Sequence, residues 1–235
     1  MQIYNSMEQI NNVAIVVAME KELNLLLPLV NEPKELVIDG YRLYSGTING
    51  MNVTIMQCGI GKVNAAIGTL TLLNNFNVDV VINTGVAGGA DKSINVMDIV
   101  VATQIAYHDV WCGPGTQYGE ASGYPLFFTS DNDLVDLLDD EEGVKPGLIC
   151  SGDRFIASIE EIESIKAHFP KALAVDMESA AIAQVCKLRD VPFLCIRVIS
   201  DSPGTSNDNS AQYDNFWEIA PQHTFNIVRF LLSKF

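Results

Sequence analysis

The sequence predicts a single α/β domain of the three-layer sandwich type, with a mixed, mainly parallel central sheet flanked by helices. Short runs of β-branched residues alternate along the chain with longer stretches of helical periodicity. Several of these runs are apolar throughout, which is typical of parallel strands covered on both faces by helices. The 235 residues contain no internal repeat and no Pro/Gly/Ser-rich linker, so we expect one folded unit.

The first third of the domain reads as two strand–helix units. An unbroken apolar run predicts a strand at Val13–Val17, and leucines recurring on one side predict a helix over Met19–Leu29. A second strand is predicted at Val53–Gln57. After a glycine-containing turn, a stretch rich in Ala and Leu predicts a helix over Lys62–Leu73.

The middle of the chain predicts further buried strands. Val78–Ile82 is a β-branched run that we expect to end in a glycine-rich loop at Asn83–Gly89. Asp98–Ala102 and Gly147–Cys150 are also short apolar runs, and we expect each to form a strand. Between them, Asp131–Leu138 has an aspartate at its start and helical spacing of its apolar residues, which predicts a helix.

The last third alternates in the same way. Helical periodicity predicts helices over Ile159–Phe169 and Glu178–Leu188. Phe193–Ile199 is an apolar strand, and the polar segment Asp201–Gln212 predicts a loop. A final helix is predicted from about Asp214 to Leu232.

Composition and charge exclude several classes of protein. The hydrophobic content of 48% supports an ample core, whereas a net charge of −15 without any cluster of Lys or Arg argues against a nucleic-acid partner. Residues 1–12 are polar and are interpreted as an N-terminal extension, and residues 13–235 as the domain. The start of the chain lacks a signal-peptide pattern, and no uncharged apolar run approaches the ~20 residues that a membrane helix needs. We therefore expect no membrane partner.

Cysteine usage predicts a reducing compartment. The five cysteines form no CxxC pair, and their odd number leaves at least one unpaired in any disulfide scheme. Reduced thiols in a cytoplasmic protein are the expected state. The five are Cys58, Cys112, Cys150, Cys186 and Cys195.

Unusual residues follow several predicted strands, where α/β sheets bind their ligands. Glu20 and Glu22 follow the first strand, and acids in the first turn of a helix also complement its dipole. The turn Gly59–Asn64 has two glycines for tight turning but Asn64 in place of a third, which weakens a dinucleotide-binding interpretation. The glycines of Asn83–Gly89 fit either a ligand cradle or a simple turn.

Two further motifs carry charges beside apolar segments. Asp176 is interpreted first as a helix N-cap, whereas Glu178 is surrounded by apolar neighbours, so its carboxylate must be paired or functional. Arg197 lies inside an apolar strand, which predicts either a structural pair with a carboxylate or a functional role. Asp201 lies where that strand opens into a loop.

These motifs together resemble the 5′-methylthioadenosine/S-adenosylhomocysteine nucleosidases of the nucleoside phosphorylase superfamily. The resemblance covers about residues 13–230, and its specificity lies in the joint order of the motifs. In order they are Ala-Met-Glu-Lys-Glu22, Gly-Ile-Gly-Lys62, Asn-Thr-Gly-Val-Ala-Gly-Gly89, Asp-Ile-Val-Val-Ala102, Tyr-His-Asp109, Ser-Gly-Asp-Arg-Phe155-Ile, Val-Asp-Met-Glu178 and Arg197-Val-Ile-Ser-Asp201.

The resemblance implies two catalytic carboxylates. Glu22 would be the general base that activates water, with Arg197 holding that end of the site. Asp201, assisted by Ser200, would protonate adenine N7. No cofactor or metal is implied.

The resemblance also implies the residues that bind an adenine nucleoside. Glu178 would bind the ribose hydroxyls and Met177 would pack on the sugar. The ring of Phe155 would stack on adenine, and the backbone at Phe155 and Ile156 would read its edge. Met19 and Ile60 would line the sugar and its 5′ side. Val86 would border the water pocket, and Tyr213 would be the aromatic lid residue.

The implied reaction is hydrolysis of the N-glycosidic bond of 5′-methylthioadenosine and S-adenosylhomocysteine by a homodimer. A phosphorylase must bind a dianion, which Glu22 would repel and for which Val86, where many relatives carry Ser, offers no hydrogen bond. The segment Val110–Tyr118 departs from the usual family sequence; in relatives this region reaches into the neighbouring subunit.

Four alternatives stay open. Phosphate-dependent turnover would indicate a purine or uridine phosphorylase of the same fold, and product analysis would reveal an aminodeoxyfutalosine nucleosidase, an activity found in some relatives with the Val-type loop. A catalytically silent nucleoside-binding protein is disfavoured because all three acids are present. A dinucleotide-binding protein is disfavoured by the missing third glycine.

Overall fold

The computed structural model describes residues 10–138, 141–203, 209–219 and 226–235. The strands are β1 (Asn12–Val17), β2 (Asn31–Ile38), β3 (Tyr41–Ile48), β4 (Met51–Gln57), β5 (Val80–Gly89), β6 (Ile99–Tyr107), β7 (Phe128–Thr129), β8 (Val144–Ser151), β9 (Ala172–Asp176) and β10 (Phe193–Asp201). The helices are α1 (Glu20–Leu26), α2 (Lys62–Asn75), α3 (Asn132–Asp136), α4 (Ile159–His168), α5 (Ser179–Arg189), α6 (Asn209–Ile219) and α7 (Asn226–Leu232), and a 3₁₀ turn at Leu27–Leu29 follows α1.

The strands form one mixed sheet, which confirms the predicted fold class. Parallel pairings join β1 to β4 and β5, β5 to β10, and β6 through β8 to β9. Antiparallel pairings add the β2–β3–β4 hairpins at one edge and β7 at another. Further antiparallel pairs join β10 to β6 and β5 to β9. Strand β5 is therefore central, with three strand neighbours.

Helices cover both faces of the sheet, as the alternation of β1 shows. Ala14 and Val16 belong to the buried cluster that includes residues of α2 and α5. Val13, Ile15 and Val17 belong to the opposite cluster, with residues of α1, α3 and α7. Because successive side chains of a strand point to opposite faces, a strand buried on both faces is apolar throughout.

Several predicted boundaries were wrong. The segment Asn83–Gly89, predicted as a loop, continues β5 and pairs with β10 and β9. Asp201, predicted to open a loop, is the last residue of β10. The predicted terminal helix over Asp214–Leu232 is replaced in the described residues by α6, which begins earlier at Asn209, and by α7. Residues 204–208 and 220–225 of these predictions lie outside the described residues.

Strands β2, β3, β7 and β9 were not anticipated from the sequence. Residues 1–9 of the predicted N-terminal extension lie outside the described residues, and β1 begins at Asn12, so the domain boundary stays a prediction. No helix in the described ranges is long and apolar enough to span a membrane. All five cysteines are free.

Candidate active site

A cleft lies at the carboxyl ends of β1, β5, β9 and β10, where the fold predicts a ligand site. It holds about 670 Å³ of empty space, part of which is open to solvent. Its lining residues come from the last residues of β5, β9 and β10, from the segments that follow β1, β8 and β9, and from α6: Met19, Val86, Ala87, Gly88, Arg154, Phe155, Ile156, Val175, Asp176, Met177, Glu178, Ser200, Asp201 and Tyr213.

Most of the site residues predicted from the sequence meet in this cleft. Three predicted residues do not line it. Glu22 and Arg197 are buried, each with 2% of its surface exposed. Ile60 is 51% exposed.

Glu22 is held by backbone amides at the inner end of β1. Its Oε2 accepts hydrogen bonds from the N–H groups of Ala18 and Met19, both at 2.9 Å, and its Oε1 accepts one from Val86 at 3.0 Å. The bond to Met19 caps α1, whereas the other two tie the carboxylate to β1 and β5. Burial raises the pKa of Glu22, opposed by the charge of Arg197 and by these N–H donors. A raised pKa makes the Glu22 carboxylate a better proton acceptor than a solvent-exposed carboxylate.

The dipole explanation is sufficient for Glu20 but not for Glu22. Glu20 is exposed and pairs with Arg42 at 3.2 Å. Glu22 is instead enclosed by Gly85, where a Cβ atom would lie 2.5 Å from Glu22 Oε1. Glycine at position 85 is thus required by the close approach of the carboxylate to β5.

Glu178 is held by the Gly59–Asn64 turn. It occupies the N-cap position of α5, and its Oε1 accepts a hydrogen bond from the N–H of Gly61 at 2.9 Å. Burial and the nearby Asp176 raise the pKa of Glu178 to about 7, while the Gly61 amide and Arg197 oppose the shift. The Gly59–Asn64 turn, weak as a dinucleotide motif, therefore supports a carboxylate that faces the cleft.

Asp176 is the buried partner of Arg197. Its Oδ2 accepts from Arg197 Nε and lies 2.8 Å from Arg197 Nη2, which also donates to Asn83 Oδ1. The prediction of Asp176 as the N-cap of α5 was wrong: Glu178 is the N-cap, although Asp176 Oδ1 also accepts from the Ser179 hydroxyl at 2.9 Å. The predicted structural pair of Arg197 is thus with Asp176, and its charge acts on Glu22 and Glu178 from behind the cleft.

Asp201 ends β10 inside the cleft with 2% of its surface exposed. Ser200 Oγ donates to Asp201 Oδ1 at 2.6 Å and is also 3.3 Å from the carbonyl of Ala87. The hydroxyl of Ser200 therefore holds the carboxyl group of Asp201 in place.

Aromatic rings form the outer part of the cleft. Phe155, 47% exposed, meets Tyr213 edge to face with ring centroids 6.0 Å apart. The hydroxyl of Tyr213 lies 3.3 Å from Met19 Sδ. A half-exposed aromatic ring beside an empty cleft offers a stacking surface for a flat heterocycle.

Sequence reasoning missed Asn83 and Arg154. Asn83 bridges two strands, because its amide donates to the carbonyl of Val16 and accepts from Arg197. The signal was an amide side chain inside an apolar run, which needs buried partners. Arg154 lines the cleft but pairs with Glu161 at 2.6 Å. Within the described residues, no group of three His, Cys, Asp or Glu side chains is arranged to hold a metal ion.

Comparisons with known proteins agree with this geometry. Residues 12–233 match the Phosphorylase superfamily. The chain is 42% identical over 231 residues to the 5′-methylthioadenosine/S-adenosylhomocysteine nucleosidase of Actinobacillus succinogenes, with 94% of this chain and 98% of that protein covered.

Solved structures give the same result. The Neisseria meningitidis 5′-methylthioadenosine/S-adenosylhomocysteine nucleosidase in complex with methylthio-immucillin-A superposes with a TM-score of 0.91 at 36% identity, covering 96% of this chain and all 100% of that one. The futalosine hydrolase of Helicobacter pylori superposes with a TM-score of 0.88 at 26% identity, covering 97% and 100%. This chain belongs to the 5′-methylthioadenosine/S-adenosylhomocysteine nucleosidase family of the phosphorylase superfamily.

Proposed function

We propose that the protein hydrolyses the N-glycosidic bond of 5′-methylthioadenosine and S-adenosylhomocysteine, releasing adenine and the thioribose product. The observation that carries this proposal is the convergence of three buried carboxylates: Glu178 and Asp201 line the cleft, and Glu22 lies directly behind the lining residue Val86, from whose N–H it accepts a hydrogen bond. Buried carboxylates are costly unless they are paired or functional. The named activities of the relatives supply the substrate class.

The chemistry requires an acid on the base side and a base on the water side. Adenine is a poor leaving group until a ring nitrogen gains a proton, and the sugar then develops oxocarbenium character. Asp201, held by Ser200, donates that proton to N7. Glu22 accepts a proton from the attacking water. The water-derived oxygen bonds to the anomeric carbon as the bond to adenine breaks.

The remaining predicted residues bind the nucleoside. Glu178 accepts hydrogen bonds from the ribose hydroxyls while Met177 packs on the sugar. Phe155 stacks on the base, and the backbone at Ile156 reads its edge. Met19, with Tyr213 against its sulfur, lines the 5′ side.

The charges around Glu22 favour water over phosphate as the nucleophile. The guanidinium of Arg197 is committed to Asp176 and Asn83. Arg154, the single cationic residue of the described cleft lining, pairs with Glu161. Val86 contributes a backbone N–H that Glu22 already uses. A phosphate dianion would therefore meet the Glu22 carboxylate without a free cation among the described lining residues to balance it.

An aminodeoxyfutalosine-type nucleoside is a second candidate substrate for the same site. Val86 and the structural similarity to the Helicobacter pylori futalosine hydrolase favour it. The glycosidic chemistry would be the same, and the difference would lie in the 5′-substituent.

We further propose a cytoplasmic homodimer. Its support is an exposed apolar surface on two adjacent helices: Val63 and Ile67 are one turn apart on α2 and are 67% and 50% exposed, and Leu188 on α5 is 63% exposed. Apolar side chains clustered in this way mark association surfaces. The five free cysteines suit a reducing compartment.

Adenine release from a panel of 5′-substituted adenosines tests the proposal. The panel consists of 5′-methylthioadenosine, S-adenosylhomocysteine, aminodeoxyfutalosine and unsubstituted adenosine. We expect the two thio-substituted nucleosides to have the highest kcat/KM. Preference for aminodeoxyfutalosine would favour the second candidate, and no adenine release from any of them would contradict the proposal.

A further inference from the structure

Lys62, Asp109 and Asp153 form a charged cluster beside the cleft. They belong to three of the motifs that carry the family resemblance, yet none of them lines the cleft. Lys62 Nζ lies 2.7 and 2.8 Å from the two carboxylate oxygens of Asp109 and 3.8 Å from Asp153 Oδ2. The side chains of Lys62 and Asp109 are 21% and 28% exposed, so the pair is mostly covered.

Backbone hydrogen bonds tie the same three residues together. The N–H of Lys62 donates to Asp153 Oδ1 at 2.7 Å, and the N–H of Asp153 donates to Asp109 Oδ2 at 2.8 Å. The cluster thus links the start of α2 with the segments after β6 and β8. An isolated surface ion pair contributes little to stability. Here the carboxylates also accept charge-assisted hydrogen bonds from two backbone amides, so the cluster fixes the relative positions of the three segments.

The cluster adjoins two of the proposed substrate-binding residues. Gly61 donates its N–H to Glu178, and the next amide, that of Lys62, donates to Asp153. Asp153 precedes Phe155 by two residues. Gly61 has a φ of 93°, and a Cβ atom there would lie 3.0 Å from Asp153 Oδ1. Two successive amides of one turn therefore hold both Glu178, the proposed ribose-binding carboxylate, and Asp153, in the loop that carries Phe155.

We propose that Lys62, Asp109 and Asp153 are positioning residues that keep the Phe155 loop in register with Glu178, so that base and ribose are bound together. This inference rests on the proposed function of the cleft. The three residues act through Phe155 and Glu178 and leave Glu22 and Asp201 unchanged. Their loss consequently weakens binding of the nucleoside more than it slows the chemical step.

Steady-state kinetics of Lys62→Met and Asp109→Asn, with 5′-methylthioadenosine as substrate, test this role. We expect KM to rise about tenfold in each, the effect of losing a charge-assisted hydrogen bond. We expect kcat to stay within about twofold, because the lost interactions serve binding. The losses in the double variant should be less than additive, since both substitutions disrupt the shared contact between Lys62 and Asp109. Lys62→Arg should restore most of the affinity.

A matched control is Lys166→Met, which removes a pair with Asp91 of similar exposure that lies outside the cleft lining. Its KM should equal that of the wild type. Unchanged KM in both Lys62→Met and Asp109→Asn, or additive losses in the double variant, would overturn the positioning role. A wild type that releases no adenine would instead contradict the proposed function, so the two failures are distinguishable.

Discussion

The three acids of the cleft differ in what holds them. Glu22 accepts from three backbone amides, Glu178 from the amide of Gly61, and Asp201 from the hydroxyl of Ser200. Each environment suits a different role, because hydrogen bonds and burial together set whether a carboxyl group is ionised. The sequence indicated that these acids were functional, but their partners lie 1 to 117 positions away along the chain and could not be read from it.

Replacing the proposed base should separate binding from chemistry. Glu22→Gln keeps the size of the side chain but removes its ability to accept a proton. We expect kcat to fall by at least ~10², while the affinity for 5′-methylthioadenosine stays within a few-fold of wild type. Rapid-quench turnover and calorimetry measure the two quantities. Activity close to that of the wild type would eliminate Glu22 as the base.

Glu178 should make substrate binding depend on pH. Its pKa is raised to about 7 by burial and Asp176, so the carboxylate that accepts from the ribose hydroxyls becomes protonated as the pH falls below that value. We expect KM to rise below about pH 7, by up to tenfold per pH unit. In Glu178→Ala this dependence should disappear.

The same variant should distinguish ribose from base. Glu178→Ala is expected to weaken binding of the nucleoside, by ~1.5–3 kcal/mol for each charge-assisted bond lost, and to leave binding of free adenine nearly unchanged. Equal losses for the two ligands in calorimetry would refute a contact with ribose.

Asp201 should behave as a leaving-group acid. Asp201→Asn keeps the size and can still form a hydrogen bond, but it cannot deliver a proton. Hydrolysis of the thio-substituted nucleoside should slow by at least ~10² while ligand affinity survives. A riboside with nitrophenol on the anomeric carbon, whose leaving group needs no proton, should be much less affected. Equal slowing of both substrates would make Asp201 a structural residue.

At the scale of elements, the β2–β3 and β3–β4 hairpins carried a signal that was not used. Their turns are Asp39–Gly40 and Asn49–Gly50, and all four residues have φ between 51° and 85°. Asp-Gly and Asn-Gly pairs at positive φ are typical of two-residue hairpin turns. Strand β2 was missed because it lies at the sheet edge, is exposed and polar, and lacks the apolar run that marked the central strands.

The glycines of β5 caused the opposite error, because a strand segment was predicted to be a loop. Glycine is depleted in strands, so Asn83–Gly89 was predicted to be a loop. Tertiary contacts explain two of these glycines. A Cβ atom at Gly85 would collide with Glu22, and one at Gly88 would lie 3.3 Å from side-chain atoms of Pro203 and Val175. A close approach between distant segments is not visible in local sequence.

Gly85→Ala tests that close approach. The added methyl group would collide with the Glu22 carboxylate, so we expect kcat/KM to fall by at least ~10-fold. Overpacking should also lower the free energy of unfolding by about 1–3 kcal/mol. Gly147→Ala is the matched control, because its methyl group would meet Leu173, and neither residue lines the cleft. It should lower the melting temperature without a comparable loss of kcat/KM. Equal activity losses in the two variants would show a general effect of destabilisation.

At the scale of the whole molecule, the sequence predicted the layers of the fold and the end of the sheet where the cleft lies. Apolar runs and helical periodicity carry that information because each strand must be covered on both faces. The pairing of Arg197 with Asp176 and the three strand neighbours of β5 depend on the order of strands in the sheet. That order is a property of the folded chain and has no local signature.

The most direct test of the central claim is adenine release from 5′-methylthioadenosine in phosphate-free buffer, with the sugar product identified. If Glu22 activates water, the enzyme should release adenine and free methylthioribose, and added phosphate should leave the rate unchanged. Glu22→Gln, run in parallel, should release neither product at a comparable rate. Turnover that requires phosphate and yields the sugar 1-phosphate would contradict hydrolysis and establish a phosphorylase.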